Sequence, residues 1–225
     1  MIHSISSALA GRAFVLLLGL QFAACVTPPV GGGPSADERL EWILSNQEGS
    51  NREELARDLR ILTLDHPRHV PGLVADAAVS IETGRTDRAI ALLTTVLTVE
   101  PDHVDAVLLW ARVAARSGDL AGARRRVEAA LRTRPDSPEL HEADASLMYL
   151  EDRLGEAIEA LDRADALRGE ESWRSAYHRG LIDEARGELE AAERHYSRCV
   201  ELDPSFEPAA RRLRWIAAER AGEER

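Results

Sequence analysis

The residues able to carry chemistry in this 225-residue chain are few, and their spacing scatters them. His66, His69 and His103 could bind a metal, but a zinc ion needs three or four ligands at about 2 Å, and His69 and His103 stand 34 residues apart on successive turns. They read as turn-filling side chains. His178 and His195 belong to neighbouring helices and could touch, yet no serine or aspartate in a nucleophile setting accompanies them. Arg124-Arg125-Arg126 could grip a phosphate; its neighbours Asp119 and Glu128 make it a solvated, charge-balanced helix face instead. Gly31-Gly32-Gly33 follows no strand and opens no helix bearing a lysine, so it does not cradle a phosphate. Paired carboxylates abound only because Asp and Glu total 39 against 28 basic residues, all of them arginine, for a formal charge of −11. That balance argues against nucleic-acid binding. No catalytic centre, cofactor or metal is expected.

The elements behind these residues follow a ruler. Pro67, Pro101 and Pro135 are spaced by 34 residues, and Gly169 and Pro204 continue the series with one extra residue in the last interval. Twelve residues before the last four marks lie Ala89, Ala123, Ala157 and Ala192. Five residues further back come Gly84, Gly118 and Gly187, with Asp152 in the third unit, where a chain leaving a helix often adopts positive φ. Ala77, Ala111, Ala145 and Gly180 mark the eighth position of each unit. Small side chains recurring on one face let paired helices approach closely. Apolar periodicity places helices over 36–47, 51–65, 70–83, 86–99, 104–117, 120–133, 138–150, 154–167, 173–185, 189–201 and 207–221. Trp42, Trp110 and Trp215 fit their packing faces, and Cys199 occupies a small-residue position as a buried thiol.

This pattern resembles the tetratricopeptide repeat (TPR) family, whose units carry small residues at positions 8, 20 and 27 and proline at 32. The resemblance implies an all-α protein, a right-handed α-solenoid of antiparallel helix hairpins with about four to five repeats. Val70–Ser137 fits best, Trp173–Phe206 almost as well and Pro138–Glu171 more loosely. Ala36–His69 reads as a degenerate N-terminal repeat in which Ile43 and Leu55 replace the small residues, and 207–225 as a C-terminal capping helix and tail. Terminal repeats are often atypical because one face has no neighbour.

The N-terminus reads as an export signal over residues 1–24: one positive charge in Met1–Arg12, then the apolar run Ala13–Ala24, too short to span a bilayer comfortably. The run ends at Phe22-Ala23-Ala24-Cys25, which resembles a bacterial lipobox. That resemblance implies acylation of Cys25 and a membrane anchor; cleavage of an ordinary secreted protein nearby is the other reading. Several acyl chains hold firmly where one does not. Residues 25–35, rich in Pro and Gly, suit a flexible tether. Val26 follows the cysteine where Asp would resemble an inner-membrane retention signal, so the outer membrane, facing the periplasm, is the expected location.

The family's binding groove is formed by first-helix positions 2, 5, 9, 12 and 13. Carried across, these include Val74, Ala78, Ile81, Glu82, Asp105, Leu108, Arg112, Arg116, Glu142, Tyr149, Arg174, Tyr177 and Glu184. The mixture suits an extended peptide or a partner helix, with Arg112 and Arg116, one turn apart, as anchors for an acidic partner. Residues 70–206 contain no Asn or Lys, which disfavours the carboxylate clamp of one chaperone-binding subclass. Two functions remain open: a lipid-anchored scaffold for an envelope machine (pilus, secretion or outer-membrane biogenesis), or a binding protein for an envelope ligand such as a cell-wall fragment.

Overall fold

The computed structural model describes residues 34–46 and 51–223. The export signal, Cys25 and all of the tether except Pro34 and Ser35 lie outside the described residues. Every described element is an α-helix: α1 (Ala36–Ser45), α2 (Arg52–Asp65), α3 (Val70–Glu82), α4 (Thr86–Val99), α5 (Val104–Arg116), α6 (Leu120–Thr133), α7 (Pro138–Leu150), α8 (Leu154–Arg168), α9 (Trp173–Ala185), α10 (Leu189–Leu202) and α11 (Glu207–Glu223). The boundaries read from the periodicity hold within two residues. No helix among the described residues is long and apolar enough to cross a membrane.

Caps account for several of the starts. Ser35 and Glu38 form a reciprocal capping box at α1, with the Glu38 amide donating to Ser35 Oγ at 3.2 Å and the Ser35 amide to Glu38 Oε2 at 2.7 Å. Asn51, Asp119, Ser137 and Ser172 accept from the first-turn amides of α2, α6, α7 and α9.

The turns inside the hairpins stop helices by backbone conformation. Gly84, Gly118 and Gly187 adopt φ of +75°, +89° and +77°, and Asp152 takes φ +60° at the matching place. A side chain at positive φ is strained, less so for Asp than for most residues. Asp152→Gly should therefore stabilise the chain by about 0.5–1 kcal/mol. Its thermal midpoint should rise by roughly 1–4 °C; an unchanged midpoint would mean that Asp152 recovers the strain through its own side chain.

The described chain divides into two compact units, one ending at Val113 and one beginning at Ala114, so that the division falls inside α5. In the first, Leu40, Ile43, Leu55, Ala56, Leu59, Leu62, Ala75 and Val79 form a core joining α1, α2 and α3. Ile43 and Leu55, which stand where other hairpins have small residues, are both buried in it. In the second, Ala145, Ala157, Ala160, Leu161 and Ile182 pack α7, α8 and α9, while Ala176, Ala192, Tyr196, Cys199, Ala209 and Ile216 pack α9, α10 and α11. Ala89, Ala123, Ala157 and Ala192 are all fully buried, as are Ala77, Val96, Ala164 and Cys199. The small-residue ruler marks the helix contacts.

Two tryptophans depart from expectation. Trp42 is 63% exposed and Trp215 41% exposed. Each sits beside the residue its helix buries: Ile43 turns inward on α1 and Ile216 on α11. One residue along a helix is about 100° round its axis, enough to move a side chain off the packed face.

Candidate functional site

The unit ending at Val113 uses much of its first-helix surface internally. α3 is buried continuously from Gly72 to Ser80, packed by α1, α2 and α4. Val74 and Ala78, expected on a binding face, are therefore core residues. The Glu82 carboxylate lies 2.6 Å from Arg52 Nη1, and burial raises its pKa above the usual carboxylate value while Arg52 and Arg112 pull it down. Ile81 is half-buried. On α5, Asp105 is exposed and Leu108 and Arg112 are half-buried.

Asp76, at the centre of α3, is only 1% exposed and fully engaged. Its carboxylate accepts from Thr63 Oγ1 at 2.9 Å, from Ser80 Oγ at 3.2 Å and from Arg88 Nε at 3.2 Å, with Arg88 Nη2 on the other oxygen. The charge is buried because it is paired and donors fill its lone pairs.

In the unit from Ala114, Arg116 is exposed at the end of α5. Glu142 is buried, accepting from Arg168 Nη1 at 2.6 Å and Ser172 Oγ at 2.5 Å. It ties α7 to the end of α8 and the start of α9, so it is a structural carboxylate and not a groove residue. Glu184 accepts from the Tyr196 hydroxyl at 2.7 Å and from Arg212 Nη1 at 2.8 Å. Tyr177 packs its ring against Phe206 (4.9 Å between centroids) and Tyr196 (5.7 Å), and Trp173 meets Phe206 at 4.6 Å. Tyr177 and Glu184 thus come together, but as part of an aromatic and polar cluster that fastens α11 onto the last hairpin. Burial, then Glu184, pushes the Tyr196 hydroxyl pKa upward. Arg174 lies over the Trp173 ring at 4.3 Å, and Tyr149 is half-buried.

The histidines take separate structural partners. His69 Nε2 lies 2.9 Å from Asp37, and His103 Nδ1 meets the Ala106 amide at 3.4 Å, both at helix starts. His178 Nδ1 bonds the Arg174 carbonyl oxygen at 2.9 Å, and burial lowers its pKa. His195 stands 3.5 Å from Asp183. Burial, then Asp203 and Glu171, pushes the Cys199 thiol up to about 12, so it packs as a small apolar group. Within the Arg124–Arg126 run, Arg124 bridges Glu128 at 2.8 Å and Glu151 at 2.6 Å, joining α6 to the end of α7. No cluster of His, Cys, Asp or Glu among the described residues could hold a metal ion.

One feature escaped the sequence reading. An open depression of about 470 Å³ lies over α7, between α6 and α8. His141, Asp144 and Met148 line it from α7, spaced three and four apart as one helix face requires. Glu142 and Tyr149 lie on another face of α7, roughly 120° round the axis. The signal was present in the repeat register, since Asp144 occupies the position of Asp76 two hairpins later, but nothing in the sequence showed an opening there.

Stacked helix hairpins sharing small-residue contacts, without a convergent reactive cluster among the described residues, make this an all-α helical-repeat protein of α-solenoid class. A family model described as tetratricopeptide repeat matches residues 80–147 and supports the TPR family for this chain. No curated protein matches the sequence. The fold is similar to that of a thermophilic TPR protein of Thermus thermophilus, TTC0263, with TM-score 0.70 at 15% identity over 82% of this chain and 100% of that one. A tetratricopeptide repeat protein from Parabacteroides merdae gives TM-score 0.69 at 18% identity, over 81% and 71%. PilF of Pseudomonas aeruginosa gives 0.60 at 19%, over 82% of each chain. At such identities the likeness concerns the fold. Proteins built from this repeat generally serve as non-catalytic scaffolds for other proteins.

Proposed function

We propose that this chain is a lipid-anchored, non-catalytic scaffold of the bacterial cell envelope that holds a peptide or a partner helix on the first-helix surfaces its core leaves open. The observation that carries this reading is the division of labour on the first helices. Their small residues are spent on packing, while Asp105 on α5 stays exposed and Leu108 on α5, Tyr149 on α7 and Arg174 on α9 stay half-buried. Mixed apolar and charged side chains on a helix face suit an extended or helical protein segment. The Phe22-Ala23-Ala24-Cys25 sequence supports anchoring through acylated Cys25, and Val26 after it, in place of an Asp, favours the outer membrane as destination. Assembly of an envelope machine is the process such a holder would serve.

Two measurements test the reading. Cys25→Ser should move the protein from the membrane to the soluble periplasmic fraction; unchanged membrane retention would remove the anchor from the proposal. Cross-linking mass spectrometry in intact cells should link Asp105, Tyr149 or their neighbours to another protein, and Arg116→Ala should weaken an acidic partner's binding most at low salt. Retention on purified cell wall without protein cross-links would instead identify a cell-wall ligand.

A further inference from the structure

The depression over α7 and the Asp76 network occupy equivalent places in the repeat. Asp76 and Asp144 are both the seventh residue of their units. The three residues that donate to Asp76 are Thr63, Ser80 and Arg88. At the corresponding positions around Asp144 stand Leu131, Met148 and Glu156, and all three line the depression. None can donate a hydrogen bond through its side chain when Glu156 is ionised. Asp144 Oδ1 is accordingly buried and receives no hydrogen bond from any described residue.

The surroundings do not make up the deficit. Arg124, whose charge acts on Asp144, is itself paired with Glu128 and Glu151. Burial raises the Asp144 pKa, Arg124 and His141 oppose that, and Glu128 and Glu151 reinforce it. Arg132 and Arg163 line the depression with exposed side chains, outweighed by Glu128, Asp144, Glu156 and Glu159. Where one hairpin set supplies its own guanidinium, the other presents a carboxylate, an acidic rim and an opening.

We propose that the α6–α7–α8 depression is a docking site for an arginine side chain of a protein partner, whose guanidinium takes the place at Asp144 that Arg88 holds at Asp76. The occupant is chosen by charge and by shape: a planar donor fork suits a carboxylate that lacks a cation of its own, and Met148, Leu131 and Ala160 give the methylene stem apolar lining. A volume of about 470 Å³ takes such a side chain together with part of its backbone. The site goes beyond the groove positions carried over from the repeat and lies on a different face of α7 from Tyr149.

The test uses the purified full chain and a blocked Ala-Ala-Arg-Ala-Ala peptide, with the norleucine counterpart as control. Carbon-13 carboxyl NMR of Asp144 should show a saturable shift with the arginine peptide and none with norleucine. At saturation the Asp144 pKa should fall. Asp144→Asn should weaken binding at least tenfold with an unchanged thermal midpoint. Glu156→Arg, which restores an internal cation, should abolish binding and leave the fold at least as stable as the parent. Equal binding of the norleucine peptide would make the depression an apolar groove, and no saturable shift would make Asp144 merely a buried acid. Parent-like affinity in both variants would place the peptide elsewhere. Each of these three results overturns the proposal, and none bears on the groove face that carries Asp105, Tyr149 and Arg174. If Glu156→Arg unfolds, the Asp144→Asn affinity decides alone.

Discussion

Arg88→Met should lower the stability of the chain by about 3 kcal/mol, because it leaves a carboxylate that is 1% exposed with hydroxyl donors and no cation. The arginine donates through Nε at 3.2 Å and through Nη2, so the substitution removes two charge-assisted bonds together. Breaking a buried pair from one side costs about 3–5 kcal/mol, and Arg88 is itself partly exposed, which places the expectation at the lower end. That is a large share of the roughly 5–15 kcal/mol that holds a typical domain together. Urea unfolding followed by far-UV circular dichroism reads it directly. Asp76→Leu combined with Arg88→Met should recover most of the loss, since an apolar pair of similar size leaves no orphaned charge. A single-variant loss below about 1 kcal/mol would show that water reaches Asp76 as readily as the guanidinium does.

Tyr196→Ala should cost about 3–5 kcal/mol. Its ring is fully buried between α9 and α11, and its hydroxyl donates to Glu184, which also holds Arg212. The same ring explains Gly180. A Cβ at that position would come within 2.6 Å of Tyr196 Cε1, a distance no relaxed contact shows. Gly180→Ala in the parent should therefore be destabilising by about 1 kcal/mol, the overlap of roughly 1–3 kcal/mol outweighing the helix-propensity gain. In the Tyr196→Ala background the sign should reverse, because the methyl then enters a vacated space. A double-mutant cycle on the thermal or urea midpoint measures this coupling. Equal effects of Gly180→Ala in both backgrounds would detach the glycine from the ring.

The fold was legible because it is local. Each helix is declared within its own dozen residues by apolar spacing, by caps such as Ser35 with Glu38, and by the glycines that end it. The interval between Pro67, Pro101 and Pro135 then dictates that neighbouring hairpins meet through the same positions, which is why the spacing alone marks Ala89, Ala123, Ala157 and Ala192 as contacts. Asp152 follows the same logic: it accepts the positive φ that its glycine counterparts adopt.

The binding surface was legible only in part. Counting along the repeat locates a residue's direction on its helix but not what arrives to meet it. Val74 and Ala78 point from α3 into other helices, and Glu142 and Glu184 are taken up by Arg168 and Arg212, partners 26 and 28 residues away. Trp42 and Trp215 fail for a related reason, since one residue of register separates the buried Ile43 and Ile216 from the exposed rings.

What the sequence determined by itself is the repeat: helix limits, turn conformations, the buried small residues and the packing role of Cys199, all set by short-range sterics and a fixed interval. Only the tertiary structure decided which charges are spent and which are left over. Asp76 and Asp144 are the same residue at the same register, yet one finds Arg88 across a helix contact and the other faces Glu156 and an opening. Pairing across such a contact depends on the side chains that several helices bring together, and no spacing within one of them encodes it.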